Sequence, residues 1–167
     1  MTIIKPLGLI IGVDPGTSMG ILALKLHNTY AKRVHFLQTD VSTAVNWLEN
    51  TLRVSDESPE GVLIACERYT VTPETGKRTQ QPTALQAIGS VKIFAERFNA
   101  RLVMQPPADA KKLATNEMLK RLDFYTTPKE VNLPDANDVN DAGRHATLAL
   151  ARFKASIFDA MLANSGV

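Results

Sequence analysis

Four acidic residues stand where their carboxylates could act together, although they are far apart in the chain. Asp14 ends the apolar run IIGVD, and Glu67 ends the apolar run VLIACE. A carboxylate beside so much apolar surface is unfavourable unless it is paired or binds a cation. If the two runs form neighbouring strands, Asp14 and Glu67 project side by side and repel each other. A divalent metal ion would resolve that repulsion.

The second pair of acids lies in the segment DVNDAGRH, where Asp138 and Asp141 are three residues apart. Near the start of a helix this spacing puts both on one face, with His145 one turn further along. A structural alternative is that Asp138 is the N-cap and that Asp141 interacts with the helix dipole. For His145 we favour a role other than metal ligand, either behind the ligands or facing solvent. Asp135 is expected to be a loop residue only.

Taken together, the four acids predict a site for two Mg²⁺ ions, because Mg²⁺ prefers hard oxygen ligands. Two such ions about 3.5–4 Å apart can activate a water and stabilise the leaving oxygen of a phosphodiester. The sequence has no zinc-ligand spacing, no persuasive Ser-His-Asp order and no Walker loop.

The composition is that of an ordinary soluble globular protein, with 44% hydrophobic and 22% charged residues among 167. A net charge of +2 neither requires nor excludes a nucleic-acid partner. The single cysteine, Cys66, lies in an apolar run, so we expect a buried, inert thiol in a reducing compartment. The N-terminal apolar stretch is shorter than the roughly 20 residues that span a bilayer and does not resemble a signal peptide. We therefore expect a cytoplasmic protein without a membrane span.

The elements that must position these acids follow an α/β pattern. A buried strand over Leu7–Val13 ends at the turn Asp14-Pro15-Gly16, and short connections join it and the next two strands into a three-stranded antiparallel meander. Two later strands, each reached through a helix, should extend the sheet as parallel neighbours. The four strands predicted after the first cover residues 20–26, 33–39, 62–66 and 101–105.

The apolar periodicity predicts four helical stretches. Ser42 is a plausible N-cap for the first, and a continuous last helix should run from about Asp138 to Met161. Between them we expect a helix from about Thr83 and a helical stretch over residues 111–122. The predicted inner stripes are Val45, Leu48 and Leu52; Leu85, Ile88, Val91, Ala95 and Phe98; and Ala142, Ala146, Ala149, Phe153, Ile157 and Met161.

Three motifs, IIGVDPGTSMG, IACERY and DVNDAGRHATLAL, together resemble the RuvC-type Holliday-junction resolvases, especially their bacteriophage branch. Their order and separations are similar to the family's across almost the whole chain. The first motif alone also resembles the phosphate-binding turn of sugar kinases and actin-like ATPases. The resemblance implies one RNase H-like domain over residues 1–167, with a five-stranded mixed sheet, three strands antiparallel and then two parallel, flanked by helices.

The resemblance also implies a homodimeric, structure-selective DNA endonuclease of recombination and repair, which resolves four-way junctions and cuts other branched DNA. Asp14, Glu67, Asp138 and Asp141 match the family's four metal-binding acids. We expect two Mg²⁺ ions, for which Mn²⁺ can substitute, with Asp14 between them. The segment KKLATNEMLKRLDFY departs from the bacterial pattern of a glycine-containing segment with a lysine, so no catalytic lysine is assigned.

Candidate DNA-binding residues follow the second acid and form basic clusters elsewhere. Tyr69 is the candidate for an aromatic side chain inserted at the junction crossover, and the alternative is plain packing. Basic pairs more often form solvated surface, but beside a carboxylate site phosphate contact is the better interpretation. The residues predicted to contact DNA are Arg68, Tyr69, Lys77, Arg78, Lys111, Lys112 and Lys120.

Two rival functions belong to other classes. An inactive relative of the same fold would bind branched DNA without cutting it, which leaves the four acids without a purpose. An actin-like phosphotransferase would share the DPGT turn, but those proteins place a nucleotide between two such domains. An ATP-turnover assay beside a junction-cutting assay separates all three hypotheses.

Overall fold

The computed structural model describes residues 6–54, 61–69 and 81–165. Its strands are β1 (Leu9–Asp14), β2 (Ser18–Leu26), β3 (Ala31–Asp40), β4 (Val62–Glu67) and β5 (Arg101–Gln105). Its helices are α1 (Val41–Val54), α2 (Gln81–Arg97), α3 (Pro107–Leu113), α4 (Asn116–Arg121), α5 (Pro128–Val131), α6 (Asn137–Phe153) and α7 (Ala155–Asn164). None of the helices in these ranges is long and apolar enough to cross a membrane.

The five strands form one mixed sheet in the order β3-β2-β1-β4-β5. The first three strands pair antiparallel, whereas β4 pairs parallel with β1 and β5 pairs parallel with β4. This arrangement confirms the predicted sheet. It also makes β1 and β4 direct neighbours, as the interpretation of their terminal acids requires.

Helices cover both faces of the sheet and bury a separate apolar cluster on each side. One cluster packs the sheet against α6, α7 and the segment around α4. The other packs the opposite face against α1 and α2 and contains Cys66, which is fully buried as expected. Because side chains alternate along a strand, Asp14 and Glu67 project on the α6 side, in step with Ile10 and Leu63.

Two details of the predicted helices α1 and α2 are wrong. The N-terminal cap of α1 is provided by Asp40, whose Oδ1 accepts a hydrogen bond from the Thr43 N–H at 3.0 Å, and Ser42 lies inside the first turn. Strand β3 runs directly into α1, so its last residue is in the capping position. In α2, Leu85 is 46% exposed, because Ala84 and Ala87 occupy the buried face instead.

The predicted continuous helices in the C-terminal half are each divided. The stretch from Lys111 to Leu122 is two helices, with Thr115 capping the second through its contact with the Met118 N–H. The last helix ends at Phe153, where Lys154 adopts φ −143° and ψ 51°, outside the helical region. As a result Phe153 is 50% exposed rather than part of an inner stripe.

Helix α6 lies unusually close to the sheet at two glycines. A Cβ atom added to Gly12 would collide with the Ala142 carbonyl, and one added to Gly20 would collide with the Asp138 backbone. Gly20 is the register partner of Asp14 on the adjacent strand. The absence of a side chain at Gly20 therefore brings the start of α6 next to the end of β1.

We expect Gly20→Ala to lower the free energy of unfolding by about 1–3 kcal/mol, because the added methyl group overpacks a backbone contact. Gly89→Ala is the matched control, since a Cβ atom at Gly89 in α2 would meet nothing within 4 Å. That control should raise stability by up to about 1 kcal/mol, the ordinary helix preference of alanine over glycine. Denaturant titrations measure both, and equal effects of the two substitutions would contradict the close approach of α6.

Candidate metal centre

Asp14 lies at the end of β1, in a largely buried position on the side covered by α6. Its pKa is raised to about 8, first by burial and then by the negative charges of Glu67, Asp141 and Asp138. Lys111 opposes this shift. The structure thus brings all three other predicted acids near enough to Asp14 to disfavour its charged form.

Glu67 ends β4, and its carboxylate contacts the buried polar residue His145, which in turn contacts Gln105. The Oε2 atom of Glu67 lies 3.3 Å from Nε2 of His145, which comes from α6. On the far side of the imidazole ring, Nδ1 lies 2.9 Å from Oε1 of Gln105. Gln105 ends β5 and is the register partner of Glu67, so both side chains emerge on the same face. His145 is 1% exposed, which excludes the solvent-facing alternative.

Asp138 lies in the first turn of α6 but does not cap it. The capping position belongs to Ala136, and the structural alternative for Asp138 is therefore wrong. The Asp138 carboxylate instead receives a hydrogen bond from Ser18, which lowers its pKa, while burial raises it and gives the net upward shift. Asp135 is a loop residue, as expected, and accepts hydrogen bonds from Gln38 and the Asn137 N–H.

The first turns of α6 are anchored by Asn140, a residue that sequence reasoning did not single out. Its side chain accepts the Thr126 N–H and donates to the Thr126 carbonyl, both at 2.9 Å. Asn140 is buried between the two predicted acids of α6. A buried amide with both ends satisfied fixes position strongly, so this pair orients the turn that carries Asp138 and Asp141.

Asp141 is paired with two cations. Arg144, one turn along α6, makes a short ion pair with Oδ1, and Lys111 from α3 lies 3.2 Å from Oδ2. Arg144 also donates to Asn116 at the start of α4. Lys111, Asn116, Asp141 and Arg144 line an open cleft of about 490 Å³. The spacing of three residues between Asp141 and Arg144 is typical of an ion pair along a helix, and it is the sequence signal that indicates this contact.

The residues fit divalent metal ions by donor type and by charge. Four carboxylates supply hard oxygen donors, and the pKa of Asp14 is raised by its burial and by the charges of the other three acids, which a bound cation would offset. Over the described ranges, however, no three acidic, histidine or cysteine side chains are already arranged as ligands of one ion. Both oxygens of Asp141 are held by Lys111 and Arg144. Each Asp141 oxygen therefore keeps one acceptor position beside its ion pair, through which a metal ion could be bound.

The candidate DNA-binding residues are distributed around this centre. Arg68 is exposed directly after Glu67, whereas Tyr69 is half-buried against the apolar cluster under α1 and α2, which agrees with the packing alternative. Lys112 is exposed on α3, and Lys120 lies 4.9 Å above the Tyr125 ring. The predicted contacts Lys77 and Arg78 lie outside the described residues.

Several solved structures share this fold. Thermus thermophilus RuvC in complex with a Holliday junction substrate is 15% identical, with a TM-score of 0.63 and coverage of 89% of this chain and 97% of that one. Fowlpox virus resolvase in complex with Holliday junction DNA is 14% identical, with a TM-score of 0.52 and coverage of 88% and 97%. A Mn-soaked, inhibitor-bound human cytomegalovirus terminase nuclease domain is 15% identical, with a TM-score of 0.50 and coverage of 90% and 85%.

These likenesses establish the fold. The chain has the RNase H-like nuclease fold, with the mixed five-stranded sheet and flanking helices that the sequence predicts. No protein-family model matches the chain, and no curated protein matches it.

Proposed function

We propose that this protein is a divalent-metal-dependent DNA endonuclease whose centre consists of Asp14, Glu67, Asp138 and Asp141. The observation that carries the proposal is that Glu67, Asp141 and Asp138 all lie near the largely buried Asp14, where burial and their charges raise its pKa. Such a cluster is electrostatically unfavourable without a cation, and strongly perturbed acids in one place are typical of functional sites. The RNase H-like nuclease fold supports the same class of reaction.

Each acid of the proposed centre has a defined support in the fold. Asp14 and Glu67 end the neighbouring strands β1 and β4, and the Asp138 backbone of α6 packs against Gly20, the register partner of Asp14, which supports a shared position for these acids. Two Mg²⁺ ions, when bound there, supply water activation and stabilise the negative charge that develops on the leaving oxygen. The chain's own contribution is to hold the acids in position and to present Lys111 and Arg144 beside Asp141, where an incoming phosphate meets positive charge.

We further propose branched DNA, foremost the four-way junction, as the substrate and a homodimer as the active form. Support comes from the three RuvC-like motifs in their expected order. Two of the structures with a similar fold were also solved in complex with Holliday junction DNA. A dimer offers two centres, one for each of two opposed strands. The basic residues near the centre, on α3 and after β4, suit recognition of backbone shape rather than of base sequence.

The test is cleavage of a four-way junction, a fork, a flap and plain duplex side by side, with Mg²⁺, Mn²⁺ or a chelator. We expect cleavage of branched substrates with either metal and none with the chelator. Binding without cleavage under every condition would favour the inactive DNA-binding relative. ATP turnover in a parallel assay would favour the phosphotransferase.

We expect Lys111→Ala combined with Lys112→Ala to weaken junction binding and to flatten its dependence on salt. Removal of one lysine–phosphate interaction should reduce the slope of log affinity against log salt by about 0.9. Lys154→Ala is the control for a lysine remote from the centre, because Lys154 lies at the far end of α6, roughly 24 Å along the axis from Asp138. Binding titrations at several salt concentrations measure the slopes, and an unchanged slope in the double variant would refute the proposed DNA contact.

A further inference from the structure

A buried chain of polar contacts connects Gln105, His145 and Glu67. Gln105 is fully buried, His145 is 1% exposed, and the imidazole lies between the carboxamide and the carboxylate. Strands β4 and β5 remain paired up to this point, since the Arg68 N–H donates to the Gln105 carbonyl at 2.7 Å. The backbone that carries Glu67 and Gln105 is thus held in place on both sides of the imidazole.

The position of the imidazole proton determines which atoms donate and which accept the two hydrogen bonds of His145. With the proton on Nδ1, donated to Oε1 of Gln105, an unshared pair on Nε2 would face the Glu67 carboxylate at 3.3 Å. Two acceptors in contact repel each other. In addition, the buried Nε2 of Gln105 then has no hydrogen-bond partner among the described residues, and unsatisfied buried donors are strongly unfavourable.

A half-turn of the Gln105 carboxamide removes the repulsion and places its carbonyl oxygen, instead of an N–H donor, at the position without a partner among the described residues. Its amide nitrogen then donates to Nδ1 of His145, so the imidazole carries its proton on Nε2. That proton is donated to Oε2 of Glu67 as a charge-assisted hydrogen bond, which is stronger than one between neutral groups. One carboxylate oxygen is fixed, and the other is left for the cluster around Asp14.

We propose that His145, oriented by Gln105, is a positioning residue that donates from Nε2 to Glu67 and fixes the rotamer of this carboxylate. Only the assignment of Glu67 to a metal ion rests on the proposed function; the direction of the hydrogen bonds does not. The result is a preorganised oxygen donor, and partners behind metal ligands typically change metal affinity by about 10–100-fold.

The first test is the tautomer of His145 in the metal-free protein, without DNA. Long-range proton–nitrogen NMR on protein labelled at its three histidines distinguishes the two ring nitrogens, and His145→Gln identifies the signals by their loss. We expect the proton on Nε2. A proton on Nδ1, alone or together with one on Nε2, would overturn the inference. This measurement needs no variant to be active, so it stands even if the wild-type protein cuts no DNA.

The second test is Mn²⁺ affinity, read from the electron paramagnetic resonance of free Mn²⁺. We expect His145→Leu to weaken binding about 10-fold or more. His145→Gln should stay within about 3-fold of the wild type, because the glutamine amide reaches a position similar to Nε2 and keeps the donor. Equal loss in both variants, with thermal unfolding showing both folded, would contradict a donor role. Junction cleavage by wild-type protein together with a proton on Nδ1 would leave the proposed function standing and overturn the inference alone.

Discussion

We expect Asp14→Asn to abolish the proposed metal-dependent cleavage of a labelled four-way junction and to leave junction binding intact, which is the largest effect among our predictions. The substitution keeps the shape of the side chain and replaces the ionisable carboxyl group beside the other three acids with a neutral amide, which cannot become a charged metal ligand. We expect the cleavage rate to fall by roughly 10³-fold or more, which corresponds to about 4 kcal/mol of transition-state stabilisation. Single-turnover cleavage and a binding titration on the same substrate measure the two quantities separately.

The control for this prediction is Asp159→Asn, an identical chemical change at an exposed position of α7. It should leave both cleavage and binding unchanged. Full activity of Asp14→Asn would remove Asp14 from the reaction. Loss of binding in parallel with cleavage would instead indicate that the substitution disturbs the DNA-contacting surface.

The same substitution should stabilise the metal-free protein at high pH. The folded-state pKa of Asp14 is about 8 against an ordinary value of 3.8, so the folded chain binds this proton more tightly than the unfolded chain. Stability therefore falls as pH rises from about 4 towards about 8, because the folded state must either keep the proton or bury an uncompensated charge. An asparagine side chain at this position has no carboxyl proton to titrate, and the variant escapes this loss.

We expect Asp14→Asn to be more stable than the wild type by roughly 3 kcal/mol at pH 8 in chelator, and nearly equal to it at pH 4. Denaturant titrations at the two pH values measure the difference. Asp159→Asn should show no such divergence. If the difference in free energy of unfolding between Asp14→Asn and the wild type were the same at both pH values, it would contradict the electrostatic account of the cluster.

The acids at strand ends could be predicted because their surroundings are local in sequence. Buried parallel strands are apolar along their whole length, so an acid that ends such a run stands out. The two-residue alternation from Ile10 to Asp14 and from Leu63 to Glu67 also determines which face they share. That β1 and β4 are neighbours was a condition of the interpretation and not a prediction from the order of elements, and the sheet meets this condition.

The break between α6 and α7 could not be predicted from periodicity. Phe153, Ile157 and Met161 continue the four-residue spacing across Lys154, and a change of direction leaves that spacing intact. Contacts such as Gln105 with His145 were missed for another reason, since they join residues 40 positions apart. They depend on how closely α6 lies against the sheet, which Gly12 and Gly20 control.

Direct titration with Mn²⁺ tests the central proposal most simply, since it asks whether the acids around Asp14 hold metal at all. We expect the wild-type chain to bind two Mn²⁺ ions and the Asp14→Asn variant to lose at least one of them, with Asp159→Asn binding like the wild type. Two ions bound equally well by wild type and Asp14→Asn, or none bound by the wild type, would contradict a metal centre at the ends of β1 and β4.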